Sequence, residues 1–263
     1  MPATQFLSAI LRSPSPAVVE GIRDTDSPAP DAALFGQQHD AYLQALQHLG
    51  LDTLVLAAEP DFPDSVFVED TALCFDDFAI LLRPGAPSRA GEIATIRPAL
   101  SEFYDDIVEL YAGHVDGGDV LWTGPEVIIG VSDRTTDQGA TELQRLLANR
   151  GIESRIAQTP AGILHFKSGC ALVDHNTILA ATALSRTGVF ADYTVIDVPD
   201  TELPAANAIR IGETVLLPSG FPLTRELLES RGIRVWELDN SEPGALNGGL
   251  SCMSLRLPVR RKS

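Results

Sequence analysis

Val120-Leu121-Trp122-Thr123-Gly124-Pro125-Glu126-Val127-Ile128-Ile129 joins two short apolar runs, rich in β-branched residues, through a Gly-Pro turn. Such a pattern predicts a β-hairpin. Behind it, Gln138 to Asn149 places apolar residues at helical spacing, and Arg150-Gly151-Ile152 offers a glycine suited to a helix C-cap. Glu153 to Ile156 then reads as another strand, so the unit is strand, strand, helix, strand.

The same unit recurs on both sides. Val66-Phe67 through Cys74-Phe75 reads as a strand that turns at Asp76-Asp77 into Ala79-Ile80-Leu81-Leu82. Cys170-Ala171-Leu172-Val173 turns at Asp174-His175-Asn176 into Thr177-Ile178-Leu179, and Ala208-Ile209-Arg210-Ile211 turns at Gly212-Glu213 into Thr214-Val215-Leu216-Leu217. Helices are predicted over Glu92 to Phe103 and Leu223 to Ser230, followed by strands at Ile107-Val108-Glu109-Leu110 and Arg234-Val235-Trp236-Glu237-Leu238. The first part of the chain has Ala9-Ile10-Leu11, a helix over Phe35 to Leu49 and Thr53-Leu54-Val55-Leu56, a unit without its first strand. Gly249-Leu250-Ser251-Cys252-Met253-Ser254-Leu255 is strand-like and has no helix after it. Pairing the two ends would supply a fifth unit and close a ring. The leading strands of such a ring start near one axis, which would gather Glu69-Asp70, Asp116, the His165 region, Asn207 and Cys252. No Pro/Ser linker or charge block divides the 263 residues, so one domain over 1–263 is expected.

Composition narrows the function. Nineteen Lys and Arg against 36 Asp and Glu leave a net charge of −17, which repels nucleic acid and anionic membrane surfaces and suits a small cationic substrate. No apolar run reaches the roughly 18 residues that span a bilayer, and Phe6 to Leu11 is too short for a signal segment. Three cysteines, an odd number, argue against a disulfide framework and for the cytoplasm.

Several residues can carry chemistry. Cys252 follows the pair Gly248-Gly249, where bare backbone leaves room for a ligand, although a cysteine in a β run also serves as a small core residue. That second reading is adopted for Cys74 and Cys170. His165, between Gly162-Ile163-Leu164 and Phe166-Lys167-Ser168-Gly169, is a candidate general acid and base or a hydrogen-bonded structural histidine. His39, His48 and His175 are expected at the surface. Asp116 precedes two glycines in His114-Val115-Asp116-Gly117-Gly118-Asp119; a metal cluster of His114, Asp116 and Asp119 is set aside for want of a matching second set of ligands. Glu69 and Asp70 are adjacent carboxylates in an otherwise apolar stretch that also holds Asp64, and they need a partner: a bound guanidinium, or an arginine of this chain. Arg89 and Arg134 each follow a strand, where they could clamp a carboxylate or sit solvated in a loop.

Taken together, Phe62 to Asp70 with Arg83 to Arg89, Val115 to Val120, Leu164 to Gly169 and Gly248 to Ser254 resemble the dimethylarginine dimethylaminohydrolase family of guanidine-modifying enzymes, relatives of arginine deiminase. The similarity runs from about Gly21 to Leu257. It implies an α/β fold, the five-bladed propeller called a pentein, built of pseudo-fivefold ββαβ units. It also implies a cysteine hydrolase that cuts Nω-methylated L-arginine to citrulline and a methylamine through a thiouronium on Cys252. On this resemblance His165 is the general acid and base, and Asp116 and Asp70 hold the guanidinium. Glu69 and Asp64 are further acidic positions of the site, Arg89 and Arg134 clamp the α-carboxylate, and Ile22 offers its carbonyl to the α-amine. Asn247 departs from the family, which often has Asp there, and the loop around Ile22 matches less well. The scheme uses no cofactor or metal, although zinc could inhibit a thiolate beside a histidine, and it leaves a homodimer open. Two alternatives stand beside it: an arginine or other guanidine deiminase with the same machinery, and a non-catalytic pentein that acts as a binding factor.

Overall fold

The computed structural model describes residues 5–24 and 27–262. Among them, fifteen strands form five three-stranded sheets, each on one plan: the first strand pairs antiparallel with the middle strand, and the third pairs parallel with it. In chain order the elements are β1 (Ser8–Arg12), α1 (Ala32–His48) and β2 (Asp52–Leu56), then β3 (Ala72–Cys74), β4 (Phe78–Leu81), α2 (Ile93–Ser101) and β5 (Asp106–Glu109). They continue with β6 (Val120–Trp122), β7 (Val127–Val131), α3 (Asp137–Ala148) and β8 (Ser154–Gln158), then β9 (Cys170–Asp174), β10 (Thr177–Ala181), α4 (Thr182–Ser185) and β11 (Thr194–Val198). The last are β12 (Ile209–Ile211), β13 (Thr214–Pro218), α5 (Pro222–Glu229), β14 (Arg234–Leu238), α6 (Ser241–Ala245) and β15 (Leu255–Leu257). The two ends of the chain share a blade: β15 runs antiparallel to β1, with Ser8 opposite Leu257 and Ile10 opposite Leu255.

The middle strands are buried on both faces, which is why their sequences are unbroken apolar runs. Successive side chains point to opposite sides. Ile128 of β7 therefore packs toward the β9–β11 blade while Val127 and Ile129 pack toward the β3–β5 blade. Ile10 of β1 faces the β3–β5 blade, and Ala9 and Leu11 meet Ile209, Ile211 and Leu216 of the β12–β14 blade. Five apolar clusters thus fill the gaps between blades, one of them joining the last sheet to the first. All five leading strands, β3, β6, β9, β12 and β15, line one axial cavity of about 130 Å³. Among the described residues no helix is long and apolar enough to cross a membrane.

Two predicted strands begin later than expected. Of the stretch from Val66 to Phe75 only Ala72–Cys74 is strand, and Val68–Thr71 is a 3-10 turn. Likewise Ser251–Met253 is a 3-10 turn, and the strand is Leu255–Leu257. Both turns are buried and run directly into strand, so local sequence alone could not separate them from it. The Cys170 unit also contains a short helix, α4, and a third strand, β11, that periodicity did not reveal: four residues make too little helix to show a repeat. His39 is buried at 2% exposure on the inner face of α1, contrary to the surface position expected of it.

Candidate active site

The turns that displace the predicted strands build the site. A 3-10 turn precedes each of β3, β6, β9 and β15: Val68–Thr71, Gly117–Asp119, Phe166–Ser168 and Ser251–Met253. In a turn of this kind adjacent residues point to different sides. Glu69 and Ser251 line the axial cavity, while their neighbours Asp70 and Cys252 line a second cavity of about 110 Å³ together with Ile22, Asp64, Arg89, Asp116, Arg134 and His165.

Close approach of the turns depends on missing side chains. A Cβ on Gly118 would lie 2.9 Å from the His165 ring and 3.0 Å from Asp70 Oδ1, and one on Gly117 would overlap the Glu69 carbonyl. The bare Gly118 N–H instead donates to Asp70 Oδ1 at 2.8 Å. One oxygen of Asp70, one of Asp116 and a ring nitrogen of His165 all fall within 4.8 Å of one another.

Asp116 is gripped on both oxygens: Oδ1 accepts the Gly85 N–H at 2.6 Å, and Oδ2 lies 3.1 Å from His165 Nε2. Burial opposes its charge, but His165 outweighs this and holds the carboxyl below its ordinary value. For His165, burial disfavours the imidazolium; Asp70, Asp116 and Asp119 together override it and push the ring up to about 9. A metal ion held by Asp70, Asp116 and His165 would have to displace the proton of the His165 ring.

Cys252 is 6% exposed, and its sulfur accepts a hydrogen bond from the Gly249 N–H at 3.3 Å. Burial, then the charges of Glu69 and Asp70, push the thiol up to about 12. Asn247, five residues before Cys252, has φ +59°, a left-handed conformation that asparagine adopts more readily than most residues, and Asn240 Nδ2 holds the loop by donating to the Gly248 carbonyl at 2.9 Å.

Not every expected residue plays the expected part. Glu69 does not line the catalytic cavity; it is tied to Lys167 at 2.7 Å, Arg256 at 2.5 Å and the Ser251 hydroxyl at 2.7 Å. Arg89 does line it, but its guanidinium is largely engaged: Nη1 with Asp70 at 2.5 Å, Nε and Nη2 with Glu92, and Nη2 with the Phe67 carbonyl at 2.8 Å. The partner needed by Glu69 and Asp70 is thus, for each, an arginine of this chain. Arg134 is half-buried, and its guanidinium makes no hydrogen bond or ion pair among the described residues. Asp64 Oδ1 accepts the Ile22 N–H at 2.9 Å, and burial raises its carboxyl. His114 does not join Asp116 and Asp119, because its Nδ1 is 3.2 Å from the Pro84 carbonyl.

Two residues escaped the sequence reading as parts of the site. Glu92 is buried beneath Arg89, and Asp119 accepts three hydrogen bonds under His165. An acidic residue at a position with no exposure is the signal for both, and it appears only once burial is known.

Comparison with known proteins identifies the family. Residues 96–216 match the arginine deiminase family. The N(G),N(G)-dimethylarginine dimethylaminohydrolase of Pseudomonas aeruginosa is 40% identical over 253 residues, covering 95% of this chain and 99% of that one. The enzyme of the same name from Streptomyces coelicolor is 32% identical over 254 residues, 95% of this chain and 96% of its own. A crystal structure of the Pseudomonas aeruginosa enzyme, a cysteine-to-serine variant complexed with citrulline, superposes with a TM-score of 0.93 at 38% identity, over 96% of this chain and 99% of that one. With identity of this order over nearly the whole of both chains, the protein belongs to the dimethylarginine dimethylaminohydrolase family.

Proposed function

We propose that the chain, acting as one catalytic domain over residues 1–263, hydrolyses Nω-methylated L-arginine to L-citrulline and dimethylamine or methylamine. The observation that carries this reading is the convergence of Cys252, the His165–Asp116 pair and Asp70 on one cavity. Two carboxylates and a thiol around a small space suit a flat cation with a central electrophilic carbon.

Asp70 and Asp116 hold the guanidinium, with each N–H donating to a carboxylate oxygen. A thiol pushed up to about 12 is protonated in the free protein, so the bound cation supplies the charge that favours the thiolate. The thiol proton passes to bulk solvent, and the sulfur then bonds to the guanidinium carbon, whose C=N electrons move onto nitrogen to give a neutral tetrahedral adduct. His165, already protonated, gives its proton to the methylated nitrogen as the C–N bond breaks and the amine departs. The ring is now neutral and takes a proton from water, whose oxygen attacks the thiouronium; the C–S bond then breaks as the new C–OH becomes the citrulline carbonyl, and its proton passes to the departing Cys252 sulfur. The α-carboxylate is held chiefly by Arg134, whose guanidinium makes no hydrogen bond or ion pair among the described residues, with Arg89 adding the Nη1–H not spent on Asp70. Asp64 and the Ile22 carbonyl face the α-amine. The free thiols of Cys74, Cys170 and Cys252 support a reducing compartment, the cytoplasm.

Citrulline release from asymmetric dimethylarginine, monomethylarginine and arginine, measured side by side for the wild type and Cys252→Ser, tests the reading. Preference for the methylated substrates, abolished in a folded Cys252→Ser protein, is the expected result. Faster release from arginine would make the protein a deiminase, and no release from any of the three would favour a non-catalytic binding factor.

A further inference from the structure

We infer that Asp119, which touches neither the substrate nor a reacting atom, is the positioning residue that fixes His165 and Arg134 relative to each other across the cavity. The inference rests on the roles given to those two residues above.

Asp119 ends the turn that Asp116 begins and has no solvent exposure. Its Oδ1 accepts the N–H of Phe166, the residue after His165, at 2.8 Å. Its Oδ2 accepts two hydroxyls at 2.7 Å, those of Ser132 and Thr135, which bracket Arg134. One carboxylate therefore ties the backbone that carries the general acid to the turn that carries the clamp. A third link returns to the guanidinium site, because the Asp116 N–H donates to Thr135 Oγ1 at 3.1 Å.

The chemistry of the donors demands a carboxylate. Ser132 Oγ accepts the N–H groups of Arg134 at 3.0 Å and Thr135 at 3.1 Å, so its lone pairs are taken and its hydroxyl can only donate to Asp119. Thr135 Oγ1 is likewise committed as an acceptor to Asp116. Asparagine has the same size but would turn an NH2 toward one of these donors, leaving buried polar groups unpaired. The carboxylate is also one of the charges that raise His165.

The test uses wild type, Asp119→Asn, Ser132→Ala and Arg134→Ala, each assayed with monomethylarginine and with N-methylagmatine, the same molecule without its carboxylate. Folding is followed by circular dichroism. In Asp119→Asn, kcat is expected to fall about tenfold or more on both substrates. KM should rise for monomethylarginine alone, and the alkaline limb of the pH profile should move to lower pH as His165 loses a neighbouring charge. In Ser132→Ala, KM should rise for monomethylarginine alone with the alkaline limb unmoved. Wild-type kinetics in Asp119→Asn, or an equal change on both substrates with an unmoved limb, would overturn the inference and reduce Asp119 to a structural residue. Should Asp119→Asn fail to fold, Ser132→Ala decides: a KM effect confined to the carboxylate-bearing substrate supports the inference, and none overturns it. Failure of the underlying reading looks different, since wild type would not turn over monomethylarginine or Arg134→Ala would leave its KM unchanged, and the inference would fall with it.

Discussion

At the scale of single residues, one carboxylate, Asp70, pushes two titrating groups toward opposite charge states. Negative charge from Asp70 favours the imidazolium of His165 and disfavours the thiolate of Cys252, so neutral pH leaves the ring charged and the sulfur protonated. That pair suits the first half of the reaction, in which the acid must be loaded before the nucleophile forms. It also gives a signed prediction. The His165 ring should titrate near pH 9 in the wild type, and Asp116→Asn should lower that value because the neutral amide replaces a charged partner. Removal of this partner should also cost kcat about a hundredfold, the usual order for a positioned catalytic group. Titration of the ring by NMR checks the first part, and an unchanged ring pKa in the folded variant would show that Asp116 does not set the charge on His165.

At the scale of elements, the turns before the leading strands matter more than the strands. Glu69 joins three of them, reaching Lys167 in the Phe166–Ser168 turn, Ser251 in the Ser251–Met253 turn and Arg256 of β15. Burial acts to raise its carboxyl, but Lys167 and Arg256 outweigh burial and hold it below the ordinary value. A depressed folded pKa means that this network stabilises the fold above the unfolded carboxyl's pKa of about 4.3, and the contribution is lost as pH falls through the folded value. Glu69→Gln leaves two partly buried cations without their buried counter-charge and should cost about 3 kcal/mol. Thermal unfolding at pH 7 should show it as a drop in Tm on the order of 10 °C, with the gap between variant and wild type narrowing toward acid pH; a gap independent of pH would mean that charge pairing is not the cause. The blade plan was legible because each middle strand is a continuous apolar run and Gly151 and Gly232, both at positive φ, mark where helices end. The turns were not legible. Val68-Glu69-Asp70-Thr71 and Ser251-Cys252-Met253 are as buried as strand and contiguous with it, and only tertiary contact decides that they curl. Cys252, His165 and Asp116 were candidates by residue type and nearby glycines, and Asp70 by its adjacent carboxylate, but their roles were given only by the family resemblance; the placement of Glu69 and Arg89 depends on which side of a turn each side chain leaves, and local sequence does not encode that.

At the scale of the whole molecule, a chain of net charge −17 surrounds a cavity proposed to take a cation. Its field should raise the encounter rate of a substrate of net charge +1 and turn the guanidinium inward, with Arg134 the proposed partner of the opposite end. Exposed charges are screened over about 10 Å at 0.1 M salt and about 3 Å at 1 M, so steering should fade with ionic strength while contacts inside the cavity persist. Accordingly kcat/KM for methylated arginine should fall several-fold between these salt concentrations, with kcat nearly unchanged. The anion must be varied to give that result meaning. Loss of steering depends on ionic strength alone, so sodium chloride and sodium sulfate of equal ionic strength should act alike. An anion that occupies the place of the α-carboxylate at Arg134 would instead raise KM in proportion to its own concentration and affinity, and would do so less with N-methylagmatine than with monomethylarginine. Equal effects of the two salts on both substrates place the charge sensitivity in the field of the whole molecule; an effect confined to the carboxylate-bearing substrate places it at Arg134 and removes the case for steering.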